Sequence, residues 1–260
     1  MTTLRLVLAY DGSRYAGWQR QSNALAIQQV VEDALSDLLD GRIVVHGAGR
    51  TDAGVHALAQ VAHLESVDAR RALPLKALVH GTNHRLPPDI RVRAAQRMAD
   101  GFHARKSTAG KTYVYRLWPG RVVPPTWAPT CVAQPRPLDF AALRTAARSL
   151  AGRHDFSAFA LAGGSHRSAV RRLFAVTVDT EGEQIVLRFA GEGFLRGMVR
   201  SLIGTLLEVG SGDRPPGDIV RLLAPGTTRD DAGPTAPAHG LCLEHVVYPA
   251  RWQPLDGYRA

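Results

Sequence analysis

Asp52 is the acid in this chain with the most unusual surroundings. It lies in His46-Gly47-Ala48-Gly49-Arg50-Thr51-Asp52-Ala53-Gly54-Val55-His56-Ala57, where small residues crowd around a single Arg-Thr-Asp. Glycine accepts backbone angles that other residues resist and lets a ligand approach the main chain. An aspartate held near a cation stays ionised, and a carboxylate can act as nucleophile or base. The cations on offer are Arg50 and a basic residue brought in from elsewhere by the fold. The same stretch also reads as a tight turn with a capping Asp, so the loop alone leaves both readings open.

Other chemistries find little footing. There is no Ser-His-Asp pattern, nucleophile elbow or P-loop, and Gly47-x-Gly49 with Gly54 is not a dinucleotide fingerprint. His46, His56 and His63 lie near the loop, but their spacing matches no common ligand pattern, and no metal is expected. Cys131 and Cys242 make neither a CxxC nor a disulfide framework, which points to a reducing, cytoplasmic setting. No apolar run is long enough to span a bilayer, and the start of the chain lacks a signal-peptide profile.

The remaining candidates point to a polyanion. The formal net charge is +9, and all but three of the 32 basic residues are arginine, the exceptions being Lys76, Lys106 and Lys111. Such an excess favours nucleic acid, and arginine both forks phosphates and stacks on bases. Tyr113 and Tyr115 alternate on one expected strand and so share a face, either as a base-stacking platform or as sheet core. Phe102-His103-Ala104-Arg105-Lys106 suits a phosphate backbone or a solvated linker. Arg196 and Arg200 are four apart on an expected helix, hence on one face. They serve as its wet side, or one turns inward to hold a carboxylate.

Periodicity supplies the elements that must carry these residues. Strands are expected at 4–10, 43–45, 55–64, 90–95, 113–118 and 241–248, with a hairpin formed by 173–178 and 185–190. Helices are expected at 27–39, stopped by Gly41, and at 73–83, 140–150, 195–209 and 218–223. Residues 119–137 and 225–240 read as loops, and 101–112 as a basic link. The pattern fits an α+β class, with mainly antiparallel sheets and helices packed on one face.

Six blocks then line up. Tyr10-Asp11-Gly12 with Gly17-Trp18-Gln19, Ala48 to His56, Phe102-His103-Ala104-Arg105, Lys111 to Tyr115, Phe194-Leu195 with Met198-Val199-Arg200, and Gly240-Leu241 with Leu243 and Tyr248-Pro249 resemble, in order and spacing, the TruA family of tRNA pseudouridine synthases. The resemblance runs from about residue 4 to about 249. It implies two α+β domains related by a pseudo-twofold with a cleft between them, here 1–105 carrying the Asp loop and 106–260 completing the site. It implies isomerisation of uridine to pseudouridine at positions 38, 39 and 40 of the tRNA anticodon arm, by a homodimer, with no cofactor and no metal.

By matching position, Asp52 is the implied catalytic residue. Arg50 takes the place of the flipped base, Tyr113 stacks on the uracil, Arg200 pairs with the aspartate, and Leu241 and Leu243 wall the base pocket. Arg105, Lys106, Lys111 and Arg196 are expected on the RNA backbone, although Arg196 stands where many members have His or Tyr. Two alternatives stand beside this reading. One is a pseudouridine synthase acting on other uridines or RNAs, and the other is a non-catalytic RNA-binding protein of the same fold.

Overall fold

The computed structural model describes residues 3–64, 73–164 and 167–260. The chain divides into two compact units, 1–109 with 243–260, and 110–242.

The first unit is built on a mainly antiparallel sheet. Its strands are β1 (Thr3–Tyr10), β2 (Val45–Gly47), β3 (His56–Leu64) and β4 (Ile90–Met98), with β11 (Asp256–Arg259) and, from Leu243 onward, β10 (Leu241–Val247) from the end of the chain. The order is β11-β4-β1-β3-β10, with β2 on β3. Alternation explains the strands: Leu6, Leu8 and Tyr10 of β1 are buried on one side. Helices α1 (Ile27–Leu38) and α2 (Leu75–Arg85) bring Ile27, Val31, Leu35, Leu78 and Val79 into that core. A second apolar cluster joins Ala48, Val61, Met98, Phe102 and Ala104 to Val7, Val246, Tyr248 and Trp252.

That second cluster explains where the chain's end belongs. Residues 243–260 were expected with the second half, but they supply Val246, Tyr248 and Trp252 to the first unit. The Tyr248 hydroxyl donates to the Ala104 carbonyl at 2.8 Å. β11 pairs with β4, and Tyr258 meets His80 of α2 at 2.8 Å. The boundary near the middle falls after Ala109 rather than after residue 105.

The second unit holds a four-stranded antiparallel run, β5 (Gly110–Pro119), β9 (Gln184–Gly191), β8 (Val170–Glu181) and β7 (Gly152–Asp155), with β6 (Val132–Gln134) parallel to β5. Helix α3 (Phe140–Ser149) starts on Asp139, whose side chain accepts from the amides of Ala141 and Ala142. Helix α4 (Met198–Gly210) is buried nearly all round, through Met198, Leu202, Ile203, Leu206 and Val209 among others. It is a core helix rather than an amphipathic surface helix. A short α5 (Asp218–Leu222) follows.

Most expected elements are present with shifted ends. The strand before the Asp loop is Val45–Gly47, two residues later than the apolar run implied. Asp40 at φ +48°, not Gly41, takes the left-handed position after α1. β6 falls in the stretch 119–137 that reads as loop, and β7 and β11 fall in stretches where no element is expected.

Candidate functional site

The Asp loop, residues 48–55, joins β2 to β3, which pair antiparallel with His46 opposite His63. Its base is fixed by the Ala48 amide, which donates to the Val61 carbonyl at 2.7 Å. Its centre is held from three directions. The Trp18 amide donates to the Thr51 carbonyl at 3.1 Å, and the Gly54 amide to the Tyr15 carbonyl at 3.3 Å. The Thr51 hydroxyl meets the Tyr10 hydroxyl at 2.9 Å, with both residues buried. The fully buried Gln60 donates to the Gly49 carbonyl at 2.9 Å and reaches the Tyr10 hydroxyl at 3.4 Å. The Val55 amide closes a turn on the Asp52 carbonyl at 3.1 Å. Asp52 itself is half-buried, and Arg50 is exposed.

Glycine is used here for packing. Gly17 has φ +91°, and a Cβ on it would lie 2.6 Å from the Thr51 carbonyl oxygen. A Cβ on Gly47 would lie 2.5 Å from the Trp18 indole nitrogen. The close approach expected at Gly47 is therefore made by Trp18.

A polar network supports the other end of the loop. Arg50 Nε donates to Gln19 Oε1 at 3.2 Å, and Gln19 Nε2 donates to Gln28 Oε1 at 2.7 Å. Gln28 Nε2 donates to Glu32 Oε1 at 2.9 Å and to the Val45 carbonyl at 3.0 Å. Glu32, 4% exposed, also accepts from Arg20 Nε at 2.6 Å and the Val45 amide at 3.1 Å. Helix α1 has no side-chain cap on Ala26; its first amides, Ile27 and Gln28, donate to the Gly17 and Trp18 carbonyls. Gln28 and Glu32, four apart among apolar residues on the buried face of α1, are the sequence signal for this network.

Two titratable groups brace the entry to the loop. The Tyr15 hydroxyl donates to Asp89 at 2.8 Å; burial, then the Asp89 carboxylate, pushes its phenol up to about 12. Burial works to raise Asp11, but Ser13 and the neighbouring His56 outweigh it and hold the carboxyl below its ordinary value. His56 is 4% exposed, with Nδ1 3.1 Å from both the Gly12 amide and Asp11 Oδ1.

The three histidines grouped by sequence separate. His46 and His63 stack at 5.0 Å, and the ring that joins them is His103, 4.5 Å from His63, not His56. Among the described residues no group of three or more His, Cys, Asp or Glu is arranged to hold a metal ion. Arg105 and Lys106 are exposed on the turn just beyond, where their amides donate to His103 Nδ1 at 3.1 and 3.4 Å. Leu243, wholly buried, also belongs to this unit.

Lys111, Tyr113, Arg196, Arg200 and Leu241 belong to the second unit. Tyr113 and Tyr115 both lie on β5 and are both buried, at 7% and 0% exposure. Tyr113 meets Phe194 edge-on at 5.2 Å between centroids. Tyr115 is core: its hydroxyl donates to the Pro237 carbonyl at 3.0 Å, and burial raises its phenol far above the ordinary value. Arg200, half-buried on α4, donates from Nε to the Ala236 carbonyl at 2.8 Å, and its backbone carbonyl accepts from the Ala236 amide at 3.1 Å. Arg196 is not on that helix. Gly197, at φ +65°, is the residue before its first turn, and Arg196 turns back to donate to the Ala162 carbonyl at 2.9 Å. The pairing of Arg196 and Arg200 on one helical face therefore fails. Lys111 is half-buried at the start of β5, and Leu241 is 4% exposed at the start of β10.

A family model described as tRNA pseudouridine synthase matches residues 6–105 and 146–249. The chain is 46% identical over 253 residues to tRNA pseudouridine synthase A of Syntrophotalea carbinolica, with 95% of this chain and 97% of that one covered. It is 44% identical over 249 residues to the Geobacter sulfurreducens protein of the same name, covering 95% and 100%. It is 46% identical over 249 residues to the Myxococcus xanthus one, covering 95% and 92%. A solved Cbf5-Nop10-Gar1 complex gives a TM-score of 0.33 at 15% identity, over 78% of this chain and 54% of that one, too slight a likeness to support an argument. A family match that takes in the whole Asp loop and most of both units, with relatives of nearly equal length, establishes that this chain belongs to the tRNA pseudouridine synthase family.

Proposed function

We propose that the protein isomerises uridine to pseudouridine at positions 38, 39 and 40 of the tRNA anticodon arm, with Asp52 as the catalytic residue. The observation that carries this reading is the support under Asp52. The backbone on either side of it is tied to Trp18, Tyr15 and Val55, and its neighbour Thr51 to Tyr10, while its own side chain stays half-buried. A carboxylate held in that way is pre-oriented for chemistry. The excess of basic residues adds an electrostatic reason for a polyanionic substrate.

In this mechanism the C1′–N1 bond breaks, the uracil turns, and C1′ joins C5; the proton lost from C5 is balanced by the one gained at N1. A stacked uridine must first leave its helix, at a cost of a few kcal/mol. Arg50 fills the space it vacates. Tyr113 stacks on the uracil, with Leu241 and Leu243 as apolar walls. Arg200 pairs with Asp52 and favours its ionised form. Asp52 then attacks C6 or C1′, or removes a sugar proton. Arg105, Lys106, Lys111 and Arg196 neutralise phosphates. The enzyme works as a cytoplasmic homodimer without metal or cofactor; among the described residues no helix is long and apolar enough to cross a membrane.

The test is single-turnover conversion of an unmodified tRNA transcript by wild type and Asp52→Asn, with pseudouridine located by sequencing. The variant is expected to lose at least about 10²–10⁴-fold in rate while tRNA binding changes by less than about threefold. A variant that modifies positions 38–40 at near wild-type rate would refute the assignment. Modification elsewhere by the wild type would refute the substrate.

A further inference from the structure

We infer that Gln19 is a positioning residue for base flipping: it holds the Arg50 guanidinium toward the RNA through a one-way hydrogen-bond chain anchored on the buried Glu32. The inference rests on the reading of Arg50 as the residue that replaces the flipped base.

The direction of the chain follows from its far end. A carboxylate only accepts, so Glu32 Oε1 requires a donor, and Gln28 provides Nε2 at 2.9 Å. The same Nε2 donates to the Val45 carbonyl at 3.0 Å, which settles the orientation of the Gln28 amide twice over. Gln28 Oε1 is thereby left as an acceptor and takes Gln19 Nε2 at 2.7 Å and the Arg20 amide at 2.9 Å. Gln19 must then point Oε1 the other way, where Arg50 Nε donates to it at 3.2 Å.

Each link thus dictates the next, from a residue 4% exposed out to an exposed arginine. An exposed arginine otherwise samples many rotamers, and ordering it during flipping carries an entropic cost. Holding Nε leaves both terminal nitrogens able to donate to bases or phosphates. Gln19 is itself exposed, so truncating it leaves the core untouched.

The experiment uses the full-length enzyme and a tRNA transcript carrying 2-aminopurine beside a single target uridine. Its fluorescence rise in stopped flow reports unstacking, and quenched samples report pseudouridine. Gln19→Ala is expected to slow both by the same factor, about five- to tenfold for one charge-assisted hydrogen bond, with tRNA Kd within about twofold. Arg50→Ala is expected to slow flipping more. Adding Gln19→Ala to Arg50→Ala should change nothing further, because Gln19 acts only through Arg50.

If Arg50→Ala leaves flipping unchanged, the role of Arg50 falls and this inference with it. If Arg50→Ala slows flipping but Gln19→Ala does not, the inference alone is overturned. The same holds if the double variant is slower than Arg50→Ala by the full Gln19 factor.

Discussion

Tyr10→Phe tests whether the support beneath the Asp loop is needed for chemistry. The substitution keeps the ring, which is 4% exposed and sits beside Trp18 at 6.1 Å, and removes only the hydroxyl. That hydroxyl lies 2.9 Å from Thr51 Oγ1 and 3.4 Å from Gln60 Nε2. Gln60 keeps the Gly49 carbonyl at 2.9 Å, so its loss is small. Thr51, 6% exposed, is left with a buried hydroxyl short of its partner. The cost is about 1–3 kcal/mol, since an unmet buried group costs more than the bond itself was worth. For a unit of this size that corresponds to roughly 4–11 °C in its melting. Thr51 precedes Asp52, so a loosened Thr51 lets the carboxylate wander. Misplacement on the ångström scale can cost about 10²-fold. We expect kcat on tRNA to fall by roughly tenfold or more with KM little changed. The deciding variant is the pair Tyr10→Phe with Thr51→Val, which removes both hydroxyls. It should be about as stable as Thr51→Val alone, a coupling of about 1 kcal/mol or more, measured by denaturant unfolding. Strict additivity, or a Tyr10→Phe enzyme with wild-type kcat, would refute the reasoning.

Gly17→Ala should be worse, because the backbone at φ +91° resists a side chain and the new Cβ would press on the Thr51 carbonyl at 2.6 Å. A loss of about 2 kcal/mol or more and a large fall in kcat are expected by unfolding and single-turnover assays, and wild-type values would contradict the packing. Tyr15 gives a pH prediction. Its folded-state pKa is raised to about 12, so its contribution is fully present below about pH 10 and is lost as pH climbs through 12. The ultraviolet difference titration between wild type and Tyr15→Phe should show one phenol ionising near pH 12, and a step near pH 10 would contradict it.

Much of the first unit was legible in residue order. The apolar run Leu4–Tyr10 marked a buried strand and the alternation in Ile90–Ala95 a half-exposed one, and helical spacing marked α1 because one face of it had to be buried. The Arg-Thr-Asp loop stood out because small residues around one acid are uneven in composition, which needs no coordinates. Local geometry was harder to read. Nothing in Phe194–Arg200 shows that Gly197 adopts φ +65°, yet that one angle takes Arg196 off the helix carrying Arg200. Asp40 took the left-handed position a glycine reader gives to Gly41.

Residue types and their order were enough to establish the class of fold, the family, the excess of positive charge and the loop that carries Asp52, since each is a property of neighbours along the chain. Tertiary structure alone decided that residues 243–260 return to the first unit, that Gly47 makes room for Trp18, and that Glu32 and Gln28 turn inward to reach Gln19 and Arg50. Those arrangements join residues far apart in sequence, and a buried carboxylate is tolerable only once its donors have been brought to it by the fold.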